Sequence, residues 1–234
     1  MAFDWLKAAR TANASQNVGG VSLPALPVQQ PLSYTPTTVG PVAMPQTVPT
    51  MMPAAMLAIA KASTVEEDRA AAAYFASVPY KRWVRVVEAA TVPKMIVAGA
   101  VFVPVTGAGS GTEPIAGRIL ETPEDVARAD LRASAVGFVA YVPPGSIARG
   151  KTLVTTGDGG RTVACGVCHG ADLKGLGAVP PLAGRSPSYT VRQLFDLQHG
   201  VRNGPWSALM RAAVQKLTID DMVAIAAYTA SQEP

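Results

Sequence analysis

The chain is 234 residues long, 49% apolar and 15% charged, with a net charge of +4 at neutral pH. That length admits one large or two small domains, and the apolar share separates it from disordered acidic or basic chains. No Lys/Arg run exceeds Lys81-Arg82, which argues against a nucleic-acid surface and leaves a weakly basic docking face toward an acidic protein.

The first residues, MAFDWLKAARTANAS, hold no apolar h-region and do not read as a secretory signal. If the protein is exported, its leader is not in this chain. Eight prolines from Pro24 to Pro53, spaced every three to five residues, forbid helix and predict an extended or polyproline II path. The stretch MLAIAKASTVEEDRAAAAYFAS, from Met56, has a Thr64 cap, acids in the following turn and an alanine-rich run, and so predicts a helix.

Between residues 80 and 145, RWVRVVEA, MIVAGAVFVPV, GRILET and GFVAYVPP are short, β-branched and bounded by Gly or Pro, the pattern of a few strands. The longest apolar run, at 95–105, is broken by Gly99 and Pro104 and is too short to span a bilayer. TGAGSGT at 106–112 lacks the Lys-Ser/Thr ending of a phosphate loop and any following helix, so it reads as a flexible hairpin turn. TPEDVARADLR predicts a short helix begun by Thr122 and Pro123. VPPGSIARG then opens the final segment, with Ser146 as its first cap. Helices are expected at 146–156, 164–170, 189–199, 206–214 and 218–232.

Both cysteines of the chain, Cys165 and Cys168, lie in ACGVCHGA, and His169 follows the second at once. A disulfide across so short a loop would constrain the unfolded chain little. A thioredoxin-like pair needs a βαβ frame that TGDGGRTVACGVC does not supply. Zinc needs about four ligands, and the chain offers two Cys and two His, one of each adjacent. C-x-x-C-H is instead the signature of c-type haem attachment. Each thiol adds to one porphyrin vinyl group, and the helical turn between them aims His169 at the iron as proximal ligand.

The order CGVCHGADLKGLGAVPPLAGR, then Tyr189, GVRNGPWSALM and LTIDDMVAIAAY, resembles class I cytochromes c across residues 146–234. The resemblance implies that Met210 is the distal ligand, a soft thioether that raises the reduction potential; core packing is the plain alternative for such a methionine. It also implies that the Pro180 carbonyl accepts the proton on the other nitrogen of His169 and fixes its tautomer, where the plain alternative is a turn proline. Arg185 and Tyr189 are candidates to hydrogen-bond a haem propionate, and Trp206 to pack at the haem edge, against ordinary surface or core roles. His199, before Gly200, is placed to cap a helix C-terminus, with iron ligation as its alternative.

The chain also resembles itself. The stretch from Met56 matches MRAAVQKLTIDDMVAIAAYTAS from Met210 without gaps, with Thr64/Thr218, Ala72/Ala226, Ala73/Ala227, Tyr74/Tyr228 and Ser77/Ser231 coincident. GGVSLPAL at 19–26 aligns with GLGAVPPL at 175–182, and SYT recurs at 33–35 and 188–190. In the first copy Ala9, Ala12 and Asn13 stand where the thiols and the histidine should be, in ARTAN. Met51, Met52 or Met56 would mark the lost distal position, although core or loop packing is the preferred reading of each.

The expected architecture is therefore mainly α: two cytochrome-c-like helical domains, the first degenerate, joined by a short β-containing connector. The boundaries are 1–79, with the Pro-rich segment at 24–53, then 80–145, then 146–234. Function is expected to be electron transfer by one covalent haem c, not enzymatic turnover. The resemblance implies a bacterial periplasmic protein serving a dehydrogenase, quinol-oxidising complex or terminal oxidase, with peripheral membrane association open and no nucleic-acid partner. The alternatives are a docking subunit of a larger oxidoreductase and, further off, a haem enzyme such as a peroxidase.

Overall fold

The structure, a computed structural model, describes residues 16–18, 21–23, 58–59, 61–79, 81–98, 101–177, 179–203 and 206–234. The proline-rich path, the ARTAN positions and Met51, Met52 and Met56 lie outside the described residues. The chain divides into two units, Met1–Pro79 and Tyr80–Pro234.

In the first unit, β1 (Gln16–Val18) and β2 (Val21–Leu23) pair antiparallel, with Gln16 opposite Leu23. Helix α1 (Val65–Ser77) starts at a complete capping box: Thr64 Oγ1 accepts from the Glu67 N–H, and the Glu67 carboxylate accepts from the Thr64 N–H. Only Asp68 of this helix is buried, while Tyr74 and Phe75 are exposed and meet edge to face at 5.3 Å.

In the second unit the segment 80–145 is not a free connector. It forms β3 (Val84–Glu88), β4 (Thr91–Pro93), β5 (Met95–Ala98), β6 (Val101–Pro104), β7 (Thr112–Pro114), β8 (Leu120–Pro123), the short helix α2 (Val126–Asp130) and β9 (Phe138–Val142). Strand β9 is central, parallel to β3 and antiparallel to β8, while β4–β7 and β5–β6 make antiparallel ladders. Val92, Ile115 and Leu120 form its small core.

Three local expectations are corrected. The glycine-rich stretch at 106–112 is not a hairpin turn. It is an excursion between β6 and β7, bridged at its base by Lys94, whose N–H donates to the Gly111 carbonyl and whose carbonyl accepts from the Val105 N–H. Helix α2 does not start at Thr122 and Pro123, which end β8; the Thr122 hydroxyl is spent on the Phe102 carbonyl at 2.9 Å, and Asp125 caps the helix instead. Nor is Ser146 a cap. It is the buried first residue of α3 (Ser146–Thr156), behind a left-handed Gly145, and the open Ile147 N–H is taken by Glu88 of β3 at 2.8 Å.

The remaining helices are α4 (Gly166–His169), α5 (Pro187–Gln198), α6 (Ser207–Val214) and α7 (Ile219–Ser231). Nine residues of α7 are buried, and Met222, Ala224 and Ile225 share a core with Leu153, Val154, Leu173, Leu194, Leu197 and Val214. Helices α3 and α7 cross so closely at Gly150 that a Cβ there would lie 1.9 Å from the Ala224 carbonyl oxygen. Only glycine permits that approach. The described second unit is thus a helical cluster with a small β layer attached, and helices α3 to α7 match the predicted ranges to within two residues at either end.

Candidate haem-binding site

Helix α3 ends at Gly157, where a positive φ of 73° turns the chain back and a Cβ would meet the Thr162 carbonyl oxygen at 2.4 Å. The returning strand ties Cys165 to α3, its N–H donating to the Val154 carbonyl at 2.9 Å. Cys165 then opens the single turn of α4, and the His169 N–H closes that turn on the Cys165 carbonyl at 2.9 Å. Both thiols and the imidazole therefore leave one helical turn, as the C-x-x-C-H spacing predicts.

The His169 side chain is 7% exposed, and its Nδ1 lies 2.7 Å from the Pro180 carbonyl oxygen. A carbonyl can only accept, so Nδ1 carries the proton and Nε2 presents its lone pair. No described residue hydrogen-bonds that second nitrogen. The intervening loop is closed on itself, with the Gly175 N–H donating to the His169 carbonyl at 2.8 Å and the Leu182 N–H to the Leu173 carbonyl at 2.8 Å. Pro180 is thereby held on one side of the ring.

Burial pushes the Cys165 thiol up to about 11, with the neighbouring Cys168 adding to the rise. A catalytic or redox thiol needs the opposite shift. A thioether sulfur carries no charge, so it suits this half-buried position. Cys168 is exposed, and no disulfide joins the two cysteines. Met210, on α6, is half-buried and packs against the same core as Cys165, Leu182, Val191, Phe195 and Tyr228.

Helix α6 is held by donors the sequence did not single out. Gln198 Nε2 donates to the carbonyls of Val214 and Leu217 at 2.7 and 2.8 Å, and Thr162 Oγ1 donates to Ala213 at 2.7 Å. Nearby, Arg149 and Arg161 converge on Asp158 and on the buried Asp221, with Arg149 2.9 Å from the Asp221 carboxylate. Burial alone would push the Asp221 carboxyl up, but the Thr218 backbone N–H and the Arg149 guanidinium hold it below the usual carboxylate range. The Thr162–Ala213 and Arg149–Asp221 contacts join residues 51 and 72 positions apart in sequence, so no local pattern marks them.

Of the remaining candidates, Arg185 and Tyr189 are exposed at the start of α5, and neither side chain is hydrogen-bonded to a described residue. Trp206, at the start of α6, is exposed. His199 ends α5 as predicted, with Nδ1 2.9 Å from the Phe195 carbonyl and its ring stacked on Phe195 at 3.9 Å. Among the described residues no cluster of three or more His, Cys, Asp or Glu is arranged to hold a bare metal ion. The donors present, two thiols and one oriented imidazole on a single turn with a thioether against the same core, fit an iron porphyrin.

Comparison with known proteins agrees. The family model described as Cytochrome c matches residues 147–233. Cytochrome c-554(548) of Halomonas halodenitrificans is 40% identical over 70 residues, which cover 30% of this chain and 84% of that protein. A thiosulfate dehydrogenase electron acceptor of Stutzerimonas stutzeri is 36% identical over 83 residues, covering 34% and 37% of the two chains. Cytochrome c4 of Pseudomonas aeruginosa is 35% identical over 74 residues, covering 31% and 35%. The chain thus spans most of the first relative but little more than a third of the other two. With this match over most of a cytochrome and a histidine-bearing C-x-x-C-H turn, the chain belongs to the class I c-type cytochromes, electron carriers that hold haem c and its iron.

Proposed function

We propose that the protein carries one haem c, bound through Cys165 and Cys168 and ligated by His169 and Met210, and passes single electrons between redox proteins of the bacterial periplasm. The observation that supports this most directly is the His169–Pro180 hydrogen bond at 2.7 Å, which leaves Nε2 as an oriented donor beside both thiols. When bound, haem c supplies a one-electron Fe(III)/Fe(II) couple. His169 is kept in one tautomer by Pro180, and Met210 offers a sulfur from a helix anchored at its far end by Gln198 and Thr162. Arg185 and Tyr189, both exposed, would be the donors offered to a propionate, and Trp206 is exposed at the start of α6. The name of the Stutzerimonas relative favours a dehydrogenase as donor. No described helix is long and apolar enough to cross a membrane, which is compatible with a carrier that docks transiently.

The first unit, on this reading, is a degenerate copy without haem, since both histidines of the chain lie in the second. A pyridine haemochrome assay against protein concentration tests it: one non-extractable haem per chain is expected, and two would overturn it. Replacing Met210 with Ala is expected to abolish the sulfur-to-iron band near ~695 nm, lower the potential and admit CO; an unchanged spectrum would assign the distal position elsewhere. A docking subunit of a larger oxidoreductase is the second reading, favoured by the exposed Tyr74 and Phe75 of α1. Purification as a stable complex with an oxidoreductase would select it over the free carrier.

A further inference from the structure

At three helix ends of the haem unit, charge that local sequence does not supply comes from the β segment. Neither α3 nor α5 has an acid in its first turn, and α7 has no base in its last. The β segment supplies all three. Glu88 of β3 accepts from the Ile147 N–H at the start of α3 at 2.8 Å. Glu121 of β8 accepts from the Ser188 N–H at 2.6 Å and from the Ser186 hydroxyl at 2.9 and 3.0 Å, at the start of α5. Arg82, just before β3, donates to the Ser231 carbonyl at 2.9 Å and pairs with Glu233 at 2.6 Å, at the end of α7. At α3 no local side chain caps the start, whereas at α5 Glu121 adds to the local Ser186 cap, whose hydroxyl oxygen accepts from the Tyr189 N–H at 3.2 Å.

One of the three bears on the haem ligand. Ser186, which Glu121 grips, ends the loop that begins at Pro180, whose carbonyl fixes His169 Nδ1. Between Pro180 and Ser186 the loop is tied to Leu173 through the Leu182 and Ala183 N–H groups and to Thr229 through the Gly184 N–H. We propose that Glu121 is a positioning residue for the axial histidine: by clamping Ser186 and Ser188 from the β layer, it holds the Pro180 carbonyl against Nδ1 and so tunes the donor strength of Nε2. A firm Nδ1–H···O bond makes imidazole the more basic ligand and favours Fe(III); a loosened one favours Fe(II). The inference rests on His169 being an iron ligand.

Two substitutions in the full haem-loaded chain test it. Glu121→Gln removes the charge but keeps an oxygen to accept from Ser186 and Ser188; Glu121→Ala removes both. In the reduced protein, NMR follows exchange of the His169 Nδ1 proton, and redox titration follows the potential. Glu121→Ala is expected to speed that exchange about fivefold, the factor that corresponds to a lost cap of about 1 kcal/mol. It is expected to raise the potential more than Glu121→Gln does, with exchange near wild type in the glutamine variant. Equal potential shifts in the two variants would reduce Glu121 to a nearby charge. A lowered unfolding midpoint with exchange and potential unchanged would reduce it to a helix cap, and either result overturns the proposal.

Glu88→Ala, which removes the α3 cap and leaves the Pro180 loop alone, is expected to lower the midpoint without moving either readout. If Glu121→Ala does not fold, Ser186→Ala keeps the carboxylate and must still speed the exchange; if it does not, the proposal fails. Should His169 not bind iron, His169→Ala would leave the wild-type haem spectrum unaltered, an outcome separate from all of these.

Discussion

Helices α1 and α7 share a length and a cap but have opposite fates. Each has 13 residues and begins at a threonine with the same extended backbone, φ −83° and ψ 165° at Thr64 against φ −82° and ψ 167° at Thr218, and each closes a reciprocal capping box. Yet α7 buries nine residues and α1 buries only Asp68. The cause lies between the caps. Where α7 places Met222, Val223 and Ile225, α1 has Asp68, Arg69 and Ala71. Capping and alanine content are enough to make a helix start and run, but the apolar side chains on one face decide whether a core forms on it.

That contrast can be sharpened at matched positions. Ala227 is fully buried in α7, whereas its counterpart Ala73 is exposed in α1. Ala227→Leu is expected to overpack the haem unit and destabilise it by about 1–3 kcal/mol, while Ala73→Leu stays within about 0.5 kcal/mol. Denaturant titration read at the Soret band compares the two. Equal effects would break the claim that burial separates the two helices.

A smaller difference concerns acid. The Asp221 carboxyl sits below its ordinary range in the folded chain, so in acid the unfolded state binds the extra proton first. Its contribution is therefore present above the unfolded value of about 3.9 and lost as pH falls further, through the folded value. Asp221→Asn should make the acid limb of the stability curve shallower, and should lower the plateau near neutral pH because Arg149 and Arg161 lose a shared carboxylate. An acid limb identical to wild type would show that Asp221 does not govern it.

The smallest expected effect separates the two caps themselves. Thr218→Ala removes the Asp221 N–H acceptor and should cost the haem unit about 1 kcal/mol, seen as a lower Soret melting midpoint. Thr64→Ala removes the same bond from α1, which lies in the other unit, and should leave that midpoint unchanged. A fall in both would mean that the units melt together.

Much of the haem unit was legible before any coordinates. The sequence places α3 correctly at both ends, Thr218 announces α7, α5 begins two residues before its expected start at 189, and the turn holding Cys165, Cys168 and His169 follows from spacing alone. The Pro180 contact came from resemblance to a family and appears as a 2.7 Å hydrogen bond. The role of residues 80–145 was not legible. Their strands were, but β-branched runs bounded by Gly and Pro say nothing about which helix ends they reach.

What the sequence determined by itself is what local chemistry can encode: the ranges of α3 to α7, the β-branched strands, and a haem-attachment turn whose three functional side chains lie within five residues. Only the tertiary structure decided that the β layer belongs to the haem unit, that Glu88, Glu121 and Arg82 serve helix ends 59, 67 and 149 positions away, and that Gly150 must be bare for Ala224 to approach. The physical reason is range. A cap or a motif acts over one helical turn, whereas a helix end, once formed, carries an unsatisfied partial charge that any part of the folded chain can meet.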